Sequence, residues 1–260
     1  MKKVAILISN LNSYEAIQLC IESVRKYTMH PYQMIVYDSG SYNKCDLEYL
    51  RKTRRDGWIE LIESQENKTH GDALNFLLNE RCKDDFDYAA VLDDDIFIKE
   101  EGWLEDMLGE VEKEGVLAAA DYGSDLVYSH MDYYKIWFSI FNLEAYRDDM
   151  QVDWNRTSGD SREEPYKSMI ERKRSLAKNP SLPIEPMAIV NDTGSKLLLK
   201  ILCENPKEYR VVPCPENVKG KYEHWGKMSH DLWSTMKMGA MKEWLEKSVE
   251  INKALRGIRA

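Results

Sequence analysis

Three consecutive acids, Asp93, Asp94 and Asp95, follow the apolar run from Tyr88 to Leu92 and precede Ile96 and Phe97. An apolar run of that length reads as a buried strand of an α/β sheet, so the acids stand where the strand leaves the sheet. Ligands of such sheets bind outside the carboxyl ends of the strands. Carboxylates packed this closely repel one another and raise each other's pKa unless a cation neutralises them. A hard divalent ion with oxygen ligands, shared with substrate phosphates, answers that chemistry. A solvated acidic turn is the plain alternative.

The elements that must position these acids follow from the hydrophobic pattern. Val4 to Ile8 is a first strand, ending in the polar turn Ser9-Asn10-Leu11-Asn12-Ser13. Ser13 is the expected N-cap of a helix whose inner face carries Ala16, Ile17, Cys20, Ile21 and Val24. Met34 to Tyr37 is a second strand, closed by the turn-forming cluster Asp38-Ser39-Gly40-Ser41. A helix over Leu47 to Thr53, a short strand over Trp58 to Ile62 and a helix from Ala73 to Leu78 lead into the acidic strand. This β-α-β-α rhythm predicts an α/β nucleotide-binding layer. A helix from Trp103 to Val111 and a strand from Val116 to Ala120 follow.

Beyond that point the character of the chain changes. Residues Tyr133 to Tyr146 are crowded with aromatics, and Arg147 to Lys178 are highly charged with few apolar positions. The second stretch is expected to be a mobile loop or a polar helix pair, ended by Pro180, Pro183 and Pro186. A helix over Ser195 to Leu202 and a strand over Arg210 to Val212 are expected next. A long amphipathic helix over Leu232 to Leu255 should bury Trp233, Met236, Ala240, Trp244, Ile251 and Leu255. These divisions give a core over residues 1–125, a second region over 126–231 with a charged segment at 147–178, and a terminal helix over 232–260.

Bulk composition limits the partners. With 260 residues the chain can bury a full core, and 43% hydrophobic against 31% charged residues is the balance of a soluble globular protein. A net charge of −9 disfavours a long polyanion as the main partner. The five cysteines are odd in number and form no CxxC pair, which speaks for reduced, structural thiols in a cytoplasmic protein. No apolar run has the length of a membrane span. Lysines 237, 242, 247 and 253 of the last helix suit a solvated face, and also a peripheral membrane contact or a homo-oligomer seam.

The order and spacing of the early segments resemble the family 2 glycosyltransferases, enzymes of the GT-A fold that use nucleotide-activated sugars. Val4-Ala5-Ile6-Leu7-Ile8-Ser9-Asn10-Leu11-Asn12 is similar to that family's first strand and turn, and Ile35 to Ser41 to its strand ending in an Asp-Asp-Gly-Ser type turn. Asn67 with Ala73 and Asn75 matches its asparagine-to-helix segment, and Leu92-Asp93-Asp94-Asp95 its Asp-x-Asp motif. This chain has Ser39 where the family often carries a second aspartate, Leu11 where it carries an aromatic residue, and Thr69 where it carries glycine. The likeness covers Val4 to about Leu108.

The resemblance implies an α/β, GT-A-type, Rossmann-like mixed sheet with flanking helices and a C-terminal acceptor subdomain. It implies that Asp38 accepts hydrogen bonds from the base or ribose of the donor, with Ser9 and Asn10 lining the same pocket. Asp72 and Asn75 would face the nucleotide from a helix entry, although Asp72 is equally suited to a helix start. Asp93 would contact the ribose or a metal-bound water, and Asp95 would ligate Mn²⁺ or Mg²⁺ directly, with Asp94 structural. Asp192, in Asn191-Asp192-Thr193-Gly194 ahead of a helix, stands where relatives carry the base that takes the acceptor proton; an ordinary N-cap explains it as well. His224 matches a histidine that completes the metal site, with His230 as the alternate, and an imidazole favours Mn²⁺ over Mg²⁺. Tyr133, Tyr134, Trp137 and Phe138, at helical spacing, suit core packing better than a sugar-stacking wall.

The reading is therefore a metal-dependent, inverting glycosyltransferase with a UDP-sugar donor and an acceptor hydroxyl on a glycan, lipid, protein, small molecule or modified nucleic acid. Two rivals stand beside it. A nucleotidyltransferase would carry a glycine- and lysine-rich loop after the first strand, which Ser9 to Glu15 lack. A non-catalytic sugar-nucleotide or glycan-binding module would bind donor without turnover.

Overall fold

A computed structural model describes residues 2–82, 84–124, 132–155, 196–197, 200–201, 207–225 and 238–259, with the side chains of 122–124, 132–135 and 238–245 left aside. Among the described residues, seven strands form one sheet: β1 (Val4–Asn10), β2 (Tyr32–Asp38), β3 (Glu60–Glu63), β4 (Tyr88–Asp93), β6 (Val116–Ser124), β7 (Asp132–Asn142) and β8 (Arg210–Pro213). Their order is β3-β2-β1-β4-β7-β6-β8. β7 alone runs antiparallel to its neighbours, so the sheet is mixed, as expected for the GT-A architecture. A second sheet pairs two three-residue strands, β5 (Ile96–Ile98) and β9 (Tyr222–His224).

The central strands are buried on both faces, which is why they read as near-continuous apolar runs rather than alternating ones. Along β1, Val4, Ile6 and Ile8 enter a core with α1 (Tyr14–Tyr27), α2 (Lys44–Arg55) and α4 (Trp103–Val111). Ala5 and Leu7 point to the opposite core, built with α3 (His70–Leu74), Tyr146 and Trp154. The period of two along the strand thus feeds two helical layers from one short sequence. The expected inner face of α1 is confirmed, with Ile17, Cys20, Ile21 and Val24 in the first core.

Several expectations are corrected. The helix placed at Ala73–Leu78 is the end of α3 followed by a π-helical segment over Asn75–Arg81. Tyr133 to Tyr146 is mostly strand β7, because its aromatic and β-branched residues pack on a sheet flanked by β4 and β6. Its Phe138 is fully buried, in keeping with a packing role. The third strand starts at Glu60 rather than Trp58, whose ring instead lies 3.0 Å under the Arg25 guanidinium. Ser13 occupies the N-cap position of α1 but makes no capping bond; its hydroxyl is drawn to Asp94 and Asn10 instead.

After the one-turn α5 (Leu143–Ala145), the final helix described, α6 (Met238–Arg259), docks on α1 through Ile251 and Leu255, which close over Ala16 and Leu19. Lys26 donates to the carbonyls of Gly257 and Ile258. These cationic contacts satisfy carbonyls that a helix end leaves open. Trp233 and Met236 lie outside the described residues, as do Pro180, Pro183, Pro186, His230 and the charged stretch beyond residue 155. Among the described residues, no helix is long and apolar enough to cross a membrane.

Candidate active site

Parallel register brings the expected residues to one sheet edge. Asn10 at the end of β1 lies opposite Asp38 at the end of β2, and Ser9 lies opposite Asp93 at the end of β4. Asp38 and Asp93 therefore flank β1 two strand spacings apart, about 10 Å. That span suits a ligand with a nucleoside at one end and a charged group at the other.

On the β2 side the polar groups satisfy one another. Asp38 is buried and accepts from Asn10 Nδ2 at 2.8 Å, Ser41 Oγ at 2.6 Å and the Ser41 amide at 3.0 Å. Three of the roughly four acceptor positions of a carboxylate are thus taken inside the protein. Asn12, held at a φ of 52°, accepts the amides of Tyr42 and Asn43 through its Oδ1 and clamps the turn against β1. Gly40 has a φ of 90°, and a Cβ there would meet the Glu66 carbonyl oxygen at 2.5 Å. Only glycine lets the turn approach the 64–68 loop this closely.

On the β4 side carboxylates and imidazoles are gathered together. Asp93, Asp95 and His224 present ligand atoms that all lie within 4.8 Å of one another. His224 Nε2 is 3.1 Å from Asp95 Oδ1, and Asp95 is only 6% exposed. His224 reaches the acids because β9 pairs with β5, placing Ile96 opposite His224. Two carboxylates from the end of β4 and the turn after it, met by an imidazole from β9, are a donor set that fits a divalent cation of the Mn²⁺ kind. Asp94 turns inward and accepts from Ser13 Oγ at 2.7 Å and the Leu11 amide at 3.4 Å. Burial pushes its carboxyl well above the usual range, with Asp95 adding to the shift and the Ser13 bond opposing it. Asp93 and Asp95 thus share one cluster with His224, while Asp94 turns to Ser13 and Leu11.

Other residues are placed elsewhere. Asp72 completes a capping box with Thr69 and accepts from Asn155 Nδ2 at 3.1 Å. The Thr69 amide, ahead of its other partners, holds the Asp72 carboxyl below its ordinary range. Asn75 donates to Asp153 and accepts the Trp154 amide. Both residues thus tie α3 to the 153–155 segment, which Lys196 also reaches through Asp153. Asp192 lies outside the described residues. The sequence reading passed over His70, whose Nε2 lies 3.4 Å from Asp93 Oδ1. Its only signal was its place beside Gly71 and Asp72 at the start of α3.

Residues 5–159 match the family described as Glycosyl transferase family 2. Among solved structures, a mannosyltransferase from Pyrobaculum calidifontis in complex with GDP-Man and Mn²⁺ superposes with a TM-score of 0.52 at 12% identity. The match covers 83% of this chain and 55% of that one, so this chain spans about half the length of that neighbour. TarS residues 1–349 from S. aureus match with a TM-score of 0.47 at 12% identity, over 82% of this chain and 58% of that one. A comparison with curated proteins returned no match. With a family match across more than half its length and a sheet of the GT-A kind, the chain belongs to glycosyl transferase family 2.

Proposed function

We propose that the protein transfers a sugar from a nucleoside-diphosphate donor, a UDP-sugar, to an acceptor hydroxyl with inversion at the anomeric carbon. The observation that carries this reading is the convergence of Asp93, Asp95 and His224 at the sheet edge shared with Asp38. The nucleoside end of the donor lies against Asn10, Asp38 and Ser41, with Ser9 between the two halves. Asp93, Asp95 and His224 would hold the divalent cation, Mn²⁺ or Mg²⁺. Bound there, it supplies positive charge against the diphosphate as that group departs. The bond from the anomeric carbon to the diphosphate oxygen breaks, and the acceptor oxygen bonds to the opposite face. Asp192 receives the acceptor proton in this scheme.

The test is release of nucleoside diphosphate from a panel of UDP- and GDP-sugars with a broad set of acceptors. Wild type should turn over with Mn²⁺, while Asp95→Asn and Asp192→Asn should be slowed at least a hundredfold, the scale of about 3 kcal/mol of lost transition-state stabilisation. Donor binding without turnover across the whole panel would instead make the chain a sugar-nucleotide-binding module. Pyrophosphate release would point to nucleotidyl transfer.

A further inference from the structure

His224 comes from a strand of three residues, yet its neighbours fix it on every side. Its backbone pairs with Ile96, the next amide (Trp225) donates to the Asp95 carbonyl at 3.1 Å, and Lys247 of α6 donates to the Trp225 carbonyl at 2.7 Å. The Trp225 side chain packs with Ala16, Leu19, Ile251 and Leu255 between α1 and α6. Those contacts fix where the His224 Cα stands, but not the rotation of the ring. The last torsion of a histidine is broad and roughly two-fold, and a ring nitrogen binds a metal only in the ring plane.

The sheet supplies that last restraint by an irregularity. Ala120 of β6 pairs with Ser139 of β7, but the next residue, Asp121, pairs with Lys135. Residues 136–138 therefore stand outside the β6 ladder, the kind of bulge that re-aims side chains beside active sites. Ser139 Oγ donates to the Ile136 carbonyl at 2.8 Å and pins the excursion. Its middle residue, Trp137, stacks on His224 with ring centroids 3.9 Å apart and planes 26° from parallel. The adjacent Phe138 stacks on Tyr222, two residues before His224 on β9, at 3.7 Å and 13°. Two consecutive aromatic residues of one bulge thus grip two side chains of one short strand.

We infer that Trp137 is a positioning residue for His224, holding the imidazole plane so that Nε2 faces the Asp93–Asp95 site and thereby setting a preference for Mn²⁺ over Mg²⁺. This rests on the metal reading given above. Imidazole contributes more to Mn²⁺ than to Mg²⁺, for which the two carboxylates suffice. Loosening the ring should therefore cost one ion more than the other. Partners that orient a metal-binding histidine typically contribute about tenfold or more to metal affinity.

The experiment measures Mn²⁺ binding by electron paramagnetic resonance in the presence of UDP, with Mg²⁺ as competitor. Trp137→Leu should weaken Mn²⁺ binding about tenfold and leave Mg²⁺ binding unchanged, and Trp137→Phe should restore most of the loss. In a His224→Ala background Trp137→Leu should add no further loss, because the two changes act through one ligand. If Trp137→Leu fails to fold, Trp137→Phe against Trp137→Met, with melting curves for both, makes the same comparison of flat ring against flexible chain. Wild-type Mn²⁺ binding that these variants leave unchanged, or a loss that persists without His224, overturns the proposal alone. Absence of Mn²⁺ binding in the wild type overturns the metal reading and the proposal with it.

Discussion

The two halves of the site solve opposite problems. At the β1–β2 edge, Asn10, Asp38, Ser41 and Asn12 are hydrogen-bonded to one another and to the turn before any ligand arrives, with the buried Asn12 Nδ2 left over. At the β4–β9 edge, two carboxylates and an imidazole are held together with Asp94 buried beneath them. The first arrangement is preorganised and nearly neutral in its demands, since a satisfied polar network rigidifies the backbone that carries it. The second stores repulsion that a cation would relieve. Under the proposed function, recognition of a neutral base and neutralisation of a diphosphate would call for that difference.

The largest expected effect breaks the charged half. Asp95→Asn removes a buried carboxylate that the proposed function makes a metal ligand, and should lower turnover about a thousandfold, on the order of 4 kcal/mol, in an assay of nucleoside diphosphate release. Its melting temperature without metal should rise or stay level, because a repulsive charge has gone. A fall in stability would mean that Asp95 is held by the fold rather than loaded for a cation.

The next prediction tests whether the quiet half is wholly quiet. Asp46, in the first turn of α2, is fully buried, and neither oxygen has a donor in good geometry. Burial, with Asp38 and Glu15 nearby, pushes its carboxyl up to about 7, and the Ser13 amide offsets little of that. The folded state therefore keeps a proton that the unfolded chain gives up near its ordinary value of 3.8. Between about pH 4 and pH 7 the folded state binds more protons, so stability falls as pH rises and then levels off. Urea titrations should find Asp46→Asn more stable than wild type at about pH 8 by on the order of 4 kcal/mol, with the gap closing near pH 4. A gap independent of pH would show that Asp46 does not titrate in that window.

Gly71 sharpens the comparison from the helix that carries His70 toward Asp93. A Cβ at Gly71 would stand 2.7 Å from both the Asn155 Cα and the Trp154 carbonyl oxygen. Gly71→Ala must push the 154–155 segment away and should cost about 2 kcal/mol in thermal unfolding. The smallest effect belongs to Asp38→Asn, which keeps the shape and one acceptor oxygen. Calorimetry should find UDP binding weakened about tenfold, the scale of one charge-assisted hydrogen bond, with Mn²⁺ binding unchanged.

The contrast between the halves also explains what could be read from the sequence. Both strand-end acids announced themselves because a fully buried parallel strand is an apolar run, and Asp38 and Asp93 are the residues that end those runs. The turn at Ser39 to Ser41 carried its own chemistry in a glycine between two serines. The charged half was less legible where it depends on distant pairing. β5 and β9 are three residues each and lie more than a hundred positions apart, too short for any period to show. His224 was found by resemblance, while the strand that delivers it was not. Strand β7 was read at helical spacing because Tyr133, Trp137 and Phe138 recur at four and five residues, and a three-residue bulge imposes that spacing on a strand. Ser13 was read as a cap from its type, but the buried Asp94 carboxylate, just past the end of the neighbouring strand β4, competes for its hydroxyl at 2.7 Å.

The proposed function requires that Asp93 and Asp95, at and just past the end of β4, hold a cation against the diphosphate of a donor anchored at Asp38. Calorimetric titration of UDP and GDP, each with and without Mn²⁺, on wild type and Asp95→Asn tests it most directly. The account predicts UDP binding that requires both Mn²⁺ and Asp95. Binding of neither nucleotide under any condition, or UDP binding indifferent to Mn²⁺ and to Asp95, would contradict it.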